Sequence, residues 1–405
     1  MLLLLAWLAA TQVAEIRRLG NGLSYTADPF SEADAIRSSE HYVRFGFTSD
    51  AGLPNIQYGD RFPTDGAIAG DALFHGVYTR YPPLPNLLCG LFEVTFGFDH
   101  VWVWRFVPVV LTLAATVLLF RAFEAAFGSL SAAAVTVLAS AAPMTLSYMH
   151  GLHFQGYAHA LMLLELALLT SVVFGRAAVT ASRLSVLALV GFVQGWLSFE
   201  YIFIVTGAAI PLALVARQHG HRAPPRLALQ LVAAAGSGFL AAIALHFMQV
   251  IVFHGSVAAA YADFHGRAVF RMLGDGTTPY LNEVLVVLGR QAKALWIGPN
   301  MVHFGILLPA FTVGLVVSAW HGGGTSRREK VGTTEQVSWW RSADVIALLV
   351  AYGISGMWVV LMPEHADNHQ HFVPRIFFLA YFTAVLASVL RARAWMGSFG
   401  HDAPL

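Results

Sequence analysis

Long apolar runs recur along the whole chain, separated by shorter polar stretches. An α-helix of about 17–25 predominantly apolar residues is long enough to cross the hydrocarbon core of a bilayer. The pattern predicts about ten such crossings, at residues 1–17, 101–120, 130–149, 157–175, 184–198, 201–216, 227–253, 296–320, 343–361 and 372–390. We therefore expect an all-α polytopic membrane protein, with one transmembrane domain over residues 1–395 and a short tail at 391–405.

Four segments need separate interpretation. The N-terminal run Met1–Ala10 has signal-peptide length, but no basic residue precedes it, which favours a short first membrane helix. Residues 184–216 are too long for one span, so we predict a helical hairpin that turns near Gln194–Glu200. Residues 84–98, which close the first long loop, are apolar enough for a half-inserted or surface helix. Leu281–Leu288 is predicted to form an amphipathic surface helix within segment 254–295.

The basic residues of the short loops assign the two sides of the membrane. By the positive-inside rule these loops are cytoplasmic. They contain Arg121, Arg176, Arg183, Arg217, Arg222, Arg226, Arg327, Arg328, Lys330, Arg341, Arg391 and Arg393. The outer face then receives the loop 20–100, the loop 150–156, the turn at Glu200, the segment 254–295 and the loop 362–371. Arg17 and Arg18 lie on the outer side against this rule.

Composition supports a membrane protein and excludes several other classes. Of the 405 residues, 57% are hydrophobic and 12% charged, whereas a soluble domain carries about twice that charge. The net charge of +1 gives no indication of a nucleic-acid partner. The single cysteine, Cys89, excludes an intrachain disulfide framework and a cysteine-based zinc site.

Polar clusters gather on the predicted outer face. Each adjoins the end of an apolar helix, where ionisable groups are costly and commonly functional. The clusters are TADPFSEADAIRSSEHYVRFGF, HGLHFQG with His153, SFEY with Glu200, YADFHGRAVFRMLGDG and MPEHADNHQHFVPR. Their convergence predicts a site at this surface.

The first cluster supplies candidate acids. Asp28, Glu32 and Asp34 follow the first helix, and a half-desolvated carboxyl group has a raised pKa that suits a general base. A structural role is the alternative for Asp34, because Ser31 and Asp34 have the spacing of a helix N-cap and its capping box.

A second feature is the stretch YTRYPPLPN at 78–86. Pro82 and Pro83 bar a regular helix, and non-helical backbone at membrane depth is expected only where it lines a cavity. Arg80 beside them could pair with a phosphate or extend to lipid headgroups.

The last outer loop is rich in histidine. His365 and His369 are four residues apart, with Glu364 and His371 close by, so a divalent metal is one interpretation. Hydrogen bonding to sugar hydroxyls or phosphate is another, and a plain polar loop is the third. Arg375 is a second phosphate candidate.

The chain resembles the GT-C class of integral-membrane glycosyltransferases in three features. They are an acidic cluster after the first helix, the stretch Tyr81–Leu84 and a histidine-rich loop before F-x-P-R. The closest resemblance is to the branch with protein O-mannosyltransferases, aminoarabinose transferases and the RgtA/B/C/D-like enzymes. It covers about residues 1–390, and its sharp motifs are the acidic cluster and YPPL.

The resemblance implies a polyprenyl-phosphate-linked sugar as donor and a lipid, glycan or protein as acceptor. It implies a bacterial inner membrane, with the site on the periplasmic face. The family's catalytic acid maps onto Glu32 or Asp34, with Asp28 as an outlier, since no adjacent Asp-Glu pair occurs here. Residues assigned to donor binding are Arg80, Tyr81, Pro82, Pro83, His153, Glu200, His369, His371 and Arg375. We expect inverting transfer without a cofactor, a divalent metal at His365 and His369 being the weaker alternative.

Two other functions remain open. A transporter or channel would place ionisable residues near mid-membrane, whereas the interiors of the predicted spans are almost free of charge, with Glu165 as the clear exception. A catalytically inactive lipid-binding membrane protein is consistent with the missing Asp-Glu pair. Neither the sugar, the acceptor nor the oligomeric state follows from the sequence.

Overall fold

Every regular element of the described chain is helical, as the apolar runs predict. The computed structural model describes residues 1–24, 29–56, 76–175, 179–221, 223–273, 280–294, 296, 300–325, 342–368 and 377–399. The helices of the first half are α1 (Leu2–Leu19), α2 (Pro29–Phe45), α3 (Leu84–Phe96), α4 (Val101–Trp104), α5 (Phe106–Phe127), α6 (Ser129–Ser140), α7 (Pro143–Tyr148), α8 (Phe154–Val173) and α9 (Ala181–Leu197).

The second half continues in the same way. Its helices are α10 (Ile202–Gly207), α11 (Ala209–Gln218), α12 (Pro225–His254), α13 (Val257–Leu273), α14 (Tyr280–Ala294), α15 (Leu308–Thr325), α16 (Ala343–Leu361), α17 (Pro363–Asn368) and α18 (Phe378–Phe399). A π-helical turn, Met301–Leu307, leads into α15, and 3₁₀ turns occupy Ser49–Gly52, Phe98–His100 and Phe199–Tyr201.

Among the described residues, seven helical segments are long and apolar enough to cross a membrane, whereas ten spans were predicted. They are Phe98–Phe127, Phe154–Val173, Phe199–Gln218, Pro225–His254, Met301–Trp320, Ala343–Leu361 and Phe378–Met396. The other three predicted spans are more charged or shorter. α1 ends in Glu15, Arg17 and Arg18, the run 130–149 divides between α6 and α7, and α9 has 17 residues.

The helix break predicted within 184–216 is confirmed. Ser198 leaves the helical conformation, with φ −164° and ψ 143°, and separates α9 from the turn that leads into α10. Its side chain accepts a hydrogen bond from the Glu200 backbone N–H at 3.3 Å, which caps the new helical turn. The break sets Glu200 at the start of the next membrane-crossing segment.

Helices α9 and α12 approach closely through small residues. A Cβ atom on Gly238 would lie 1.8 Å from the Ala188 carbonyl oxygen, and one on Gly191 would lie 2.3 Å from the Ala235 carbonyl oxygen. Gly195 stands one turn further along α9 and contacts Phe239. Glycine at such crossings lets backbones pack directly, which is how helices associate in lipid.

The predicted surface helices of the first loop are α2 and α3, with one correction. α2 begins at Pro29 and not after a cap at Ser31, so Ser31 and Asp34 are both helical. Proline suits the first helical position, where its missing N–H leaves no bond unmade. α3 begins directly after Pro83, as the double proline requires, and packs on α2. Asn86 Nδ2 donates to Ser38 Oγ at 2.7 Å.

A polar cluster around Arg391 joins three helices at the ends that lie away from Glu200. Arg391 on α18 donates to Asp344 Oδ2 at 2.6 Å, to Ser318 Oγ at 2.9 Å and to Ser342 Oγ at 2.7 Å. Asp344 is fully buried, and it lies 3.4 Å from His219, beyond the end of α11. The guanidinium thus joins α15, α16 and α18 at the end predicted to be cytoplasmic.

Candidate functional site

The stretch at 78–86 is fixed by neighbours far away in sequence. Tyr78 donates its backbone N–H to the Pro54 carbonyl at 2.7 Å. Thr79 Oγ1 donates to Asp263 Oδ2 at 2.7 Å, and the Thr79 carbonyl accepts a hydrogen bond from His246 Nε2 at 3.1 Å. Residues 78–83, the non-helical part of this stretch, are therefore tied to α12 and α13 by polar contacts.

Tyr81 is the centre of a second set of contacts. Its hydroxyl donates to Glu200 Oε1 at 3.0 Å and is hydrogen-bonded to His365 Nε2. Its ring stacks on Phe154, with centroids 5.9 Å apart, and Arg271 lies 4.7 Å from the ring centroid. Burial, and next the charge of Glu200, raise the pKa of the Tyr81 hydroxyl well above its usual value. Four of the predicted polar clusters therefore meet at this one residue.

A cleft of about 380 Å³, including the space where it opens to solvent, lies beside Tyr81. Its walls bring together four predicted site residues, Asp34, Tyr81, Pro82 and His153. Ser31, Tyr78 and Asn86 are further polar residues of the lining. Pro83 is buried at the start of α3, and Arg80 is exposed and does not line the cleft.

The two candidate acids on α2 face different surroundings. Residues two apart on a helix point to opposite sides, and while Asp34 lines the cleft, Glu32 has no exposed surface. Glu32 forms an ion pair with the equally buried Arg105, and it accepts the backbone N–H of Ser24 at 2.6 Å. Burial raises the pKa of Glu32, and Arg105 opposes this shift.

Arg105 is a buried residue of this network that the sequence analysis did not predict. It donates to the Gly22 carbonyl at 2.5 Å and to the His150 carbonyl at 3.2 Å, in addition to Glu32. The available signal was a lone arginine inside a predicted apolar span, which is costly unless it is paired. Its contacts hold the end of α1, the start of α2 and the turn before α8 together.

His150 extends this buried network in its neutral form. Gln12 donates its amide to the Leu146 carbonyl at 3.0 Å, so its oxygen accepts from His150 Nδ1 at 2.8 Å. His150 Nε2 then accepts from the Ser24 hydroxyl at 3.0 Å. Burial, and next the charge of Arg105, lower the pKa of His150 from its usual 6.5 to about 4.

His153 is held at the start of α8. Its Nδ1 accepts the Gln155 backbone N–H at 3.1 Å and so caps the helix. Gly156 allows the turn to fold back tightly, since a Cβ there would lie 2.4 Å from the Gly151 carbonyl oxygen. The cleft thus has a rigid histidine on one wall.

Several predicted residues cannot be compared with the structure. Asp28, His369, His371 and Arg375 lie outside the described residues. His365 lies on α17 and contacts Tyr81. In the part of the chain that is described, no group of three or more His, Cys, Asp or Glu side chains is placed to hold a metal ion. Glu165 is buried in α8 and does not line the cleft.

Comparison of this chain with models of protein families, with curated proteins and with solved structures finds no match.

Proposed function

We propose that this membrane protein is a glycosyltransferase, which moves a sugar from a polyprenyl-phosphate carrier to a lipid, glycan or protein acceptor on the outer face of the membrane. The observation that carries the proposal is the cleft. It places a carboxylate from α2, a histidine from the turn before α8 and the YPPL segment around one space. The resemblance to GT-C enzymes assigns the acid and the YPPL segment to one active site, and His153 belongs to another polar cluster predicted on the same outer face.

Asp34 is the base in this proposal. As the acceptor oxygen attacks the anomeric carbon, its proton passes to the Asp34 carboxylate and a new C–O bond forms. The C–O bond to the carrier breaks at the same time, and the polyprenyl phosphate leaves with the electron pair. A phosphate leaves without protonation, so one carboxylate suffices, unlike the pair of a glycosidase.

Glu32 acts differently from Asp34. Because it is buried and paired with Arg105, no acceptor can reach its oxygens in this arrangement. It fixes the start of α2 and thereby the direction in which Asp34 points. Of the acids expected from the sequence, Asp34 is thus the one with access to the cleft among the described residues.

Arg271 is the arginine best placed to hold the carrier phosphate. It is partly buried and stacks on Tyr81, which lines the cleft, whereas Arg80 is exposed outside it. A guanidinium that is held in place and partly desolvated binds phosphate more strongly than one in open solvent. It would stabilise the charge that develops on the departing phosphate.

The test is the variant Asp34→Asn, assayed in membranes with a panel of polyprenyl-phosphate sugars. Because Asn cannot take a proton, we expect transfer to fall by about 10²-fold or more while the amount of inserted protein is unchanged.

Asp99→Asn is the matched control, since Asp99 is an exposed acid of the same predicted outer segment and lies outside the cleft. It should keep wild-type activity. Full activity of Asp34→Asn would refute the assignment of the base, and absence of transfer by the wild type from every donor would refute the function.

A further inference from the structure

Trp358 determines which nitrogen of His365 carries the proton. The indole Nε1–H of Trp358 lies 3.2 Å from His365 Nδ1, and an indole nitrogen can only donate. His365 Nδ1 must therefore be the acceptor and carry no proton. A doubly protonated imidazolium has two donors, so this contact is compatible only with neutral His365.

The other nitrogen of His365 must then be the donor. Neutral imidazole has one N–H, and with Nδ1 excluded it is Nε2–H, which donates to the Tyr81 hydroxyl oxygen. The Tyr81 hydroxyl in turn has one proton, and Glu200 Oε1 stands 3.0 Å away as its acceptor. These three hydrogen bonds thus run in one direction, from Trp358 through His365 and Tyr81 to Glu200.

We propose that Trp358, His365, Tyr81 and Glu200 form a one-way hydrogen-bond chain, in which His365 is the neutral Nε2–H tautomer, and that this chain positions Tyr81 in the cleft. Its members are contributed by α16, α17, the stretch before α3 and the turn before α10. Trp358, His365 and Glu200 are all buried. Such a network loses more than one bond when one member is removed.

The hydrogen-bond chain determines which contacts Tyr81 can make with a ligand. Since its hydroxyl proton is directed to Glu200, Tyr81 lines the cleft without donating that proton to a ligand. The same ring carries Arg271 at 4.7 Å, so a shift of Tyr81 moves the guanidinium as well. In this respect the inference rests on the proposed function: Trp358 and His365 are positioning residues for the donor phosphate.

The tautomer is tested directly by NMR of the full-length protein in detergent, with ¹⁵N-labelled histidine near neutral pH. The His365 signals are assigned by their absence from His365→Gln. We expect a protonated Nε2 and an unprotonated Nδ1 in the wild type. In Trp358→Phe, which removes the N–H and keeps an aromatic ring, the Nδ1 signal should move because its donor is lost.

Trp102→Phe is the control, since Trp102 is exposed and its ring contacts Phe106; it should leave both signals unchanged. A protonated Nδ1 in the wild type, or an Nδ1 signal indifferent to Trp358→Phe, would overturn the chain. If His365→Gln does not fold, the difference between wild type and Trp358→Phe supplies the assignment and the answer together.

The positioning role is tested by transfer kinetics. In Trp358→Phe we expect KM for the polyprenyl-phosphate donor to rise by about tenfold with a smaller change in kcat, since positioning of the donor and not the base is affected. Unchanged kinetics together with the expected tautomer would leave the chain in place and refute its role. A wild type without transfer activity would refute the proposed function and would not alter the NMR result.

Discussion

Glu32 and Asp34 are two residues apart on one helix and have opposite surroundings. Glu32 is enclosed with Arg105, and Asp34 lines an open cleft. A sequence pattern that seeks an acid after the first helix cannot separate them, because the difference comes from the direction of each side chain. That direction depends on where α2 begins, and α2 begins at Pro29, two residues before the expected cap.

The neutral form of His150 makes a pH-dependent contribution to stability. In the unfolded chain His150 binds a proton with the usual pKa of 6.5, whereas burial in the folded protein lowers this pKa to about 4. The contribution is therefore complete above 6.5 and is lost as pH falls toward 4, at about 1.4 kcal/mol per pH unit.

We accordingly expect His150→Gln to be less stable than wild type near neutral pH, with a Tm that falls less steeply on acidification. Thermal unfolding in detergent between about pH 7 and about pH 4.5 measures this. His265→Gln serves as control, because His265 is exposed on α13. Parallel Tm curves for wild type and His150→Gln would contradict the prediction.

For single residues, the sequence predicted which side chains belong to the site better than it predicted the contacts that they make. It indicated Asp34, Tyr81, Pro82 and His153, which the fold brings to one cleft. It missed Arg105, because an apolar span with one arginine is counted as a span. The partners of Arg105 are backbone carbonyls and a distant carboxylate, which no local pattern contains.

The apolar pattern predicted the bounds of some helices more accurately than those of others. The break at Ser198 was predictable because a run of 184–216 exceeds one bilayer crossing. The division of 130–149 between α6 and α7 was not, since the residues around the break are themselves apolar. Hydropathy indicates whether a segment lies in an apolar environment. It does not detect a helix break whose residues are themselves apolar.

The packing of α9 against α12 is sensitive to the addition of a single Cβ atom at the crossing. Gly238→Ala would place a Cβ 1.8 Å from the Ala188 carbonyl oxygen, so the two helices must separate. We expect a loss of about 1–3 kcal/mol of stability, measured as a lower Tm in detergent.

Gly236→Ala is the matched control two residues away on the same helix. Its Cβ would meet Thr206 at 3.5 Å, an ordinary contact, and alanine favours helix. This variant should be as stable as wild type or slightly more so. Equal Tm values for the two alanine variants would show that the close approach does not determine stability.

Across the whole molecule, polar contacts collect at the two ends of the helices. One end contains the Tyr81 contacts and the cleft, and the other contains Arg391 with Asp344. The sequence predicted this separation because basic loops alternate with polar clusters along the chain. Of the ten predicted spans, seven correspond to long apolar helices among the described residues, while α1, α6 and α9 fall short in apolar length or in freedom from charge.

Sidedness can be tested with single introduced cysteines, because the native Cys89 is buried. Asp99→Cys and Arg217→Cys both replace exposed residues, at opposite ends of the helices. We expect a membrane-impermeant maleimide to label position 99 in intact cells and position 217 only after permeabilisation. The reverse pattern would invert the proposed orientation.

Arg105 also has a consequence for biosynthesis. Its partner Glu32 is translated 73 residues earlier, and the His150 carbonyl it binds is translated 45 residues later. A nascent chain that ends before Arg105 holds a carboxylate whose counter-ion does not yet exist. Glu32 therefore cannot form its buried ion pair before Arg105 has been synthesised, and Arg105 cannot complete its contacts before the turn that precedes α8.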